Sequence, residues 1–181
     1  DTQGPFSIFI ARNLVSGGIS DLLSSISGRQ ASTGISLATV DGGNVNDIYL
    51  NNIEISQARC PLFIRIGKRL RVMPGVEQPS VGHLRYVLIE NVTGSNNFMQ
   101  GSFISGIKTK PVEHIVIRNY DITMQGGGDS AMVNRSVPED ETGYPDAHQF
   151  LVDGLPAFGF YTRYANHIRF QNVDITPIEY D

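Results

Sequence analysis

The 181-residue sequence has no tryptophan, a single cysteine and no surplus of positive charge. One cysteine, Cys60, excludes an internal disulfide framework and a cysteine-rich zinc site. Its apolar neighbours in ARCPLFI predict a small buried residue rather than a reactive thiol. Lysine and arginine number 14 against 18 aspartates and glutamates, so the electrostatic footprint of a nucleic-acid binder is missing and no such partner is expected. No run of about 18 apolar residues occurs and no charged, apolar leader opens the chain, which therefore reads as soluble with no membrane partner. Starting at Asp1, it reads as a processed or cut product of about one domain.

Helical periodicity is also scarce. Only 14–28, where Ile19, Leu22, Leu23 and Ile26 suit one face, predicts a short helix. The 19 glycines and the β-branched residues spread in short runs predict many strands and turns instead.

A repeat organises those strands. VNDIYLNNIEI (45–55), LRYVLIENVTG (84–94), VEHIVIRNYDI (112–122) and ANHIRFQNVDI (165–175) share one pattern, with Asn52, Asn91, Asn119 and Asn172 in one column. Between them run GISLATV (34–40), PLFIRIG (61–67), GSFISGI (101–107) and AFGFYTRY (157–164). The two series alternate strictly, without the two-residue Asn-Gly or Asp-Gly loops of hairpins, which favours parallel stacking. The expected fold is all-β, a truncated right-handed parallel β-helix. Residues 1–33 stay unassigned, as a cap with a short helix, and residues 34–181 form the coils. Asparagine tolerates left-handed backbone and can bond the next coil, so the column reads as a structural ladder. The sequons at Asn91 and Asn134 are short enough to arise by chance.

Two excursions interrupt the repeat, at 68–83 and 123–156, and insertions of this kind often wall a binding groove. The second contains PEDETGYPDAHQF, the only dense carboxylate group. Candidate acids and bases are therefore Glu139, Asp140, Glu141 and Asp146, with His148 beside them and Asp41 in the turn after GISLATV. Carboxylates on a loop lack the fixed separation that catalysis needs, so a solvated cluster is the simpler reading. It has no ordered ligand spacing, so no metal and no cofactor are expected. His83, His114 and His167 form no Ser-His-Asp arrangement.

With both series and both excursions in place, the chain resembles the C-terminal half of the glycoside hydrolase family 28 pectinases, the polygalacturonase-like β-helix enzymes. The matching stretches are GISLATVDGG, NDIYLNNIEI, CPLFIRIGKRLR, VGHLRYVLIENV, GSFISGI, PVEHIVIRNYDITMQGGGD, PEDETGYPDAHQF and LPAFGFYTRYANHIRFQNVDI, in family order over residues 34–175. The resemblance implies a pectin-lyase-like solenoid and a secreted or periplasmic glycosidase that hydrolyses pectic polysaccharide with inversion. Inverting carboxylates stand roughly 6.5–9.5 Å apart, a spacing that rungs about 4.8 Å apart supply.

Alternation along the second series points Ile35, Leu37, Ile64, Ile66, Ile104, Phe158 and Phe160 inward. Ser36, Ala38, Phe63, Arg65, Phe103, Ser105, Tyr161 and Arg163 then point outward, and none is an acid. The family's Asn-Thr-Asp, Asp-Asp and Gly-His-Gly motifs precede the strand matching GISLAT and do not occur in residues 1–33. Its Arg-Ile-Lys motif, which holds the substrate carboxylate, falls on Ser36-Leu37-Ala38, and neither Ser36 nor Ala38 can do so. Arg65, Lys68, Arg69, Tyr161 and Arg163 are the candidate substrate-binding residues. The competing expectation is a non-catalytic carbohydrate-binding or structural β-helix module. A calcium-dependent lyase or a fibre-type β-helix is the third. Uncapped end coils would favour self-association.

Overall fold

A computed structural model describes residues 9–10, 13–16, 31–56, 58–72, 74–75, 77–96, 101–126, 130–143, 154–156 and 158–178. Among the described residues ten strands follow in chain order: β1 (Phe9–Ile10), β2 (Asn13–Ser16), β3 (Ala31–Thr39), β4 (Val45–Ser56), β5 (Ala58–Ile66), β6 (Leu84–Asn96), β7 (Ser102–Ser105), β8 (Val112–Gln125), β9 (Phe160–Arg163) and β10 (Ala165–Ile178). One short 3-10 turn, Met132–Asn134, is the only helical element among the described residues.

The protein is all-β with two parallel sheets. The large sheet runs β1-β4-β6-β8-β10, with β2 also paired to β4, and the small sheet runs β3-β5-β7-β9. From β3 onward the chain alternates between the sheets, and every strand from β5 to β10 pairs in parallel with the strand two places earlier. The alternation seen in the sequence is thus the alternation of the sheets.

Period-two burial explains the core. Leu50, Ile89 and Ile117 form one in-register column, and Ile53, Val92 and Tyr120 form another. Both join Leu37, Ile64 and Ile104 of the small sheet in one hydrophobic cluster. Fully burying an isoleucine contributes on the order of 2 kcal/mol, so these columns bind strand to strand across the stack. Gly94 stands in the column of Ile55 and Ile122 because a Cβ there would lie 2.1 Å from the Ile55 carbonyl oxygen.

Two columns of left-handed backbone bend the long strands. Asn52, Asn91, Asn119 and Asn172 have φ of 57°, 55°, 51° and 51°. The amide of Asn172 donates to Asn119 Oδ1 at 3.0 Å, that of Asn119 to Asn91 Oδ1 at 2.9 Å, and that of Asn91 to Asn51 Oδ1 at 2.7 Å. The ladder therefore ends on Asn51 rather than Asn52. A second column, Asp47, Tyr86, His114 and His167, has φ between 54° and 57°. Left-handed backbone costs a residue with a Cβ about 1–2 kcal/mol. Ring stacking offsets part of it: Tyr86 lies 5.0 Å from His114, which lies 4.5 Å from His167.

The structure corrects several boundaries. β1, β2 and the start of β3 fall inside residues 1–33, so the sheets begin within the segment expected to form a cap. The helix expected over 14–28 is contradicted at its start, where Leu14–Ser16 are strand, because pairing with Glu54–Ser56 satisfies their backbone. Its remainder lies outside the described residues. Phe158, expected inward, is 45% exposed because it precedes β9.

Candidate functional site

The outward residues of the small sheet form two registered columns, Ser36–Phe63–Phe103–Tyr161 and Ala38–Arg65–Ser105–Arg163. Residues two apart on a strand share a face, which sets the columns side by side. Neither holds a carboxylate. The first is a ring stack, with centroids 5.4 Å apart for Phe63 and Phe103 and 5.6 Å for Phe103 and Tyr161.

This face was expected to be open, but most of it is covered. Phe63, Arg65, Phe103 and Ser105 are fully buried. Phe63 and Phe103 form a second core with Cys60, Val137 and Leu155, against which Tyr161 packs. The physical reason is the second excursion, which lays Val137 and Leu155 over the rings and removes their apolar surface from water. Cys60 is buried as expected, and burial pushes its thiol up to about 12.

The segment 137–141 is a strap tied down by its own carbonyl groups. Arg163 Nη1 donates to the Val137 oxygen at 2.8 Å and Nη2 to the Pro138 oxygen at 2.7 Å. Arg65 Nη2 donates to the carbonyl oxygens of Glu139 at 3.1 Å and Asp140 at 2.6 Å. The Lys68 amide donates to the Glu141 oxygen at 2.6 Å, and the Lys68 ammonium pairs with the Glu141 carboxylate. Five consecutive carbonyls are thus held by residues of β5, β9 and the turn after β5. Burial lowers Arg65 to about 10, which leaves it cationic at neutral pH. Arg163 also lies 5.7 Å and 5.8 Å from the ring centres of Tyr161 and Tyr164.

The candidate acids have partners of their own. Asp41 accepts from Arg69 Nε at 3.0 Å and from its Nη2, and from the Arg71 amide at 3.1 Å. The Arg69 hydrogen bond holds Asp41 down at about 2. Glu139 accepts from the Tyr164 hydroxyl at 2.7 Å, and that bond raises the tyrosine. Lys68 lowers Glu141. The Asp140 backbone oxygen closes a turn by accepting from Gly143. Asp146 and His148 lie outside the described residues.

The structure therefore brings Arg65, Lys68, Arg163, Tyr161, Glu139, Asp140 and Glu141 together around the strap, with Arg69 and Asp41 beside it. It sets Arg65 beneath the strap rather than at a surface. In the first excursion, the Leu70 amide donates to the Val40 oxygen at 3.0 Å, which ties the excursion to the residue after β3.

Sequence reasoning missed a second collection of acids. Glu54, Thr93, Asp121 and Asp174 stand in register on the large sheet. With the asparagine ladder they line an open groove of about 580 Å³. The signal was present in the repeat, two residues after each of Asn52, Asn91, Asn119 and Asn172. Nearby, Glu90 accepts from Tyr49 and from Arg118, which lowers its carboxyl. Among the described residues no group of three histidine, cysteine or acidic side chains is arranged to hold a metal. No protein-family model, curated protein or solved structure matches the chain.

Proposed function

We propose that the chain is a right-handed parallel β-helix of the pectinase-like glycoside hydrolase type, or a C-terminal portion of one, acting on pectic polysaccharide with inversion. The observation that carries this reading is the in-register parallel stack of β3, β5, β7 and β9, walled by an excursion in the order of the family segments. In this reading the residues described here shape the end of a groove along the small sheet. The reacting carboxylates belong to strands preceding β3 or to a partner chain.

Reducing-end release from polygalacturonate or rhamnogalacturonan, with the product anomer followed by NMR, tests it. Release with inverted configuration supports the reading. Binding in an affinity gel without release favours the non-catalytic module, for which the engagement of Asp41, Glu139 and Glu141 by Arg69, Tyr164 and Lys68 speaks. An unsaturated, ultraviolet-absorbing product that requires calcium rejects hydrolysis in favour of elimination.

A further inference from the structure

We infer that the groove along the outer face of the small sheet is blind at β5, so that the protein engages a polysaccharide by its end rather than across an internal stretch. This rests on the polysaccharide reading above and specifies how such a ligand must approach.

The argument follows the two outward columns strand by strand. On β3 the column positions are Ser36, which is exposed, and Ala38, which is half-buried. On β5 and β7 the same positions are Phe63, Arg65, Phe103 and Ser105, each with essentially no exposed surface. The change from open to closed takes place between neighbouring strands, a step of about 4.8 Å. A ligand lying across the strands meets the strap after one strand.

The wall at that step is built, not incidental. Glu141, where the strap reaches the turn after β5, is held through both its carbonyl and its carboxylate by Lys68. A Cβ on Gly67 would lie 3.1 Å from the Glu141 oxygen, so the missing side chain lets the strap sit close on the turn. Behind this end, Arg65 and Arg163 hold the next four carbonyls. Moving the strap aside would break its four hydrogen bonds to the two arginines and wet a three-ring stack together. Freshly wetted aromatic surface is costly. The wall is therefore a fixed part of the fold and not a lid.

The open floor suits the terminal sugar of a chain. Ser36 and Ala38 are small and uncharged, so a ring can approach the backbone closely. Beyond the ends of β3 and β5, the Arg69–Asp41 and Lys68–Glu141 pairs form a polar rim. Such a rim offers hydrogen bonds to hydroxyl groups with little net charge.

Calorimetric titration of the full chain with short and long fractions of the same polygalacturonate, and separately of the same rhamnogalacturonan, tests the inference. An end-directed site counts chain ends. The sugar mass needed for saturation should rise from the short to the long fraction in proportion to the ratio of their mean lengths. Equal saturation by mass overturns the blind groove while leaving the polysaccharide reading standing. Absence of binding to every fraction overturns the polysaccharide reading and this inference with it. Where sugar is released, a single short product from the first time point supports the end-directed site, and a ladder of intermediate lengths opposes it.

Discussion

The outer faces of the two sheets are built from similar parallel strands and yet do opposite things with their polar residues. On the large sheet the polar columns face water and bond along the stack, asparagine to asparagine and ring to ring. On the small sheet the polar residues point away from the stack and hold a segment from elsewhere in the chain. The contrast teaches that a column facing outward from a sheet is not thereby a surface. Its fate depends on whether a connecting segment has apolar residues to lay over it, as Val137 and Leu155 do here.

The sharpest way to break the comparison is Arg65→Ala. It removes a buried cation that serves two carbonyls, and should lower unfolding free energy by about 3 kcal/mol, read from urea titrations. Arg65→Lys should recover less than half of the loss, because an ammonium lacks the guanidinium fork. A midpoint unchanged by Arg65→Ala would mean that the strap is held without help from Arg65.

Asn119→Ala should follow, at about 2 kcal/mol, since it loses two ladder bonds and leaves left-handed backbone without the polar side chain that makes it tolerable. Asn119→Gly, free of the backbone strain, should cost clearly less, and Asn172→Ala, with one ladder bond to lose, about half as much as Asn119→Ala. Equal effects of all three substitutions would show that the ladder is decoration on a stack held by its isoleucines.

Acid titration gives a smaller effect. Asp41 is held below its ordinary value of 3.8, at about 2, by Arg69. Its contribution is therefore complete above about pH 4 and lost as pH falls through about 2. Glu141 and Glu90, both lowered, act in the same direction. Because Asp41 and Arg69 are partly in water, Asp41→Asn should remove less than about 1 kcal/mol at neutral pH while flattening the stability profile between pH 4 and 2. Lys68→Ala should have the least effect, within about 0.5 kcal/mol and diminished by salt, as expected of an exposed ion pair. A large loss would make the Lys68–Glu141 contact the main anchor of the strap.

Much of the strand order was legible because parallel strands with a shared burial pattern repeat their apolar positions in the sequence. The asparagine column was legible for the same reason, down to its left-handed backbone. The column Asp47, Tyr86, His114 and His167 was not, since its members share a backbone angle but no chemistry. The acids Glu54, Asp121 and Asp174 stand in the same repeats, but that they line one groove with the asparagines follows only from the register of the strands.

The candidate cations mark the limit more clearly. Alternation alone predicts that Arg65 and Arg163 point away from the core between the sheets, and both do. Whether an outward arginine meets water, a ligand or another part of the chain depends on contacts between residues as far apart as Arg65 and Asp140. The sequence by itself determined the strands from β3 onward, their parallel order and the faces of their side chains, because those follow from a local period of two repeated along the chain. Only the tertiary structure decided that the small sheet's outer face is a second core under a strap. That outcome depends on where a long connection returns, which no local pattern encodes.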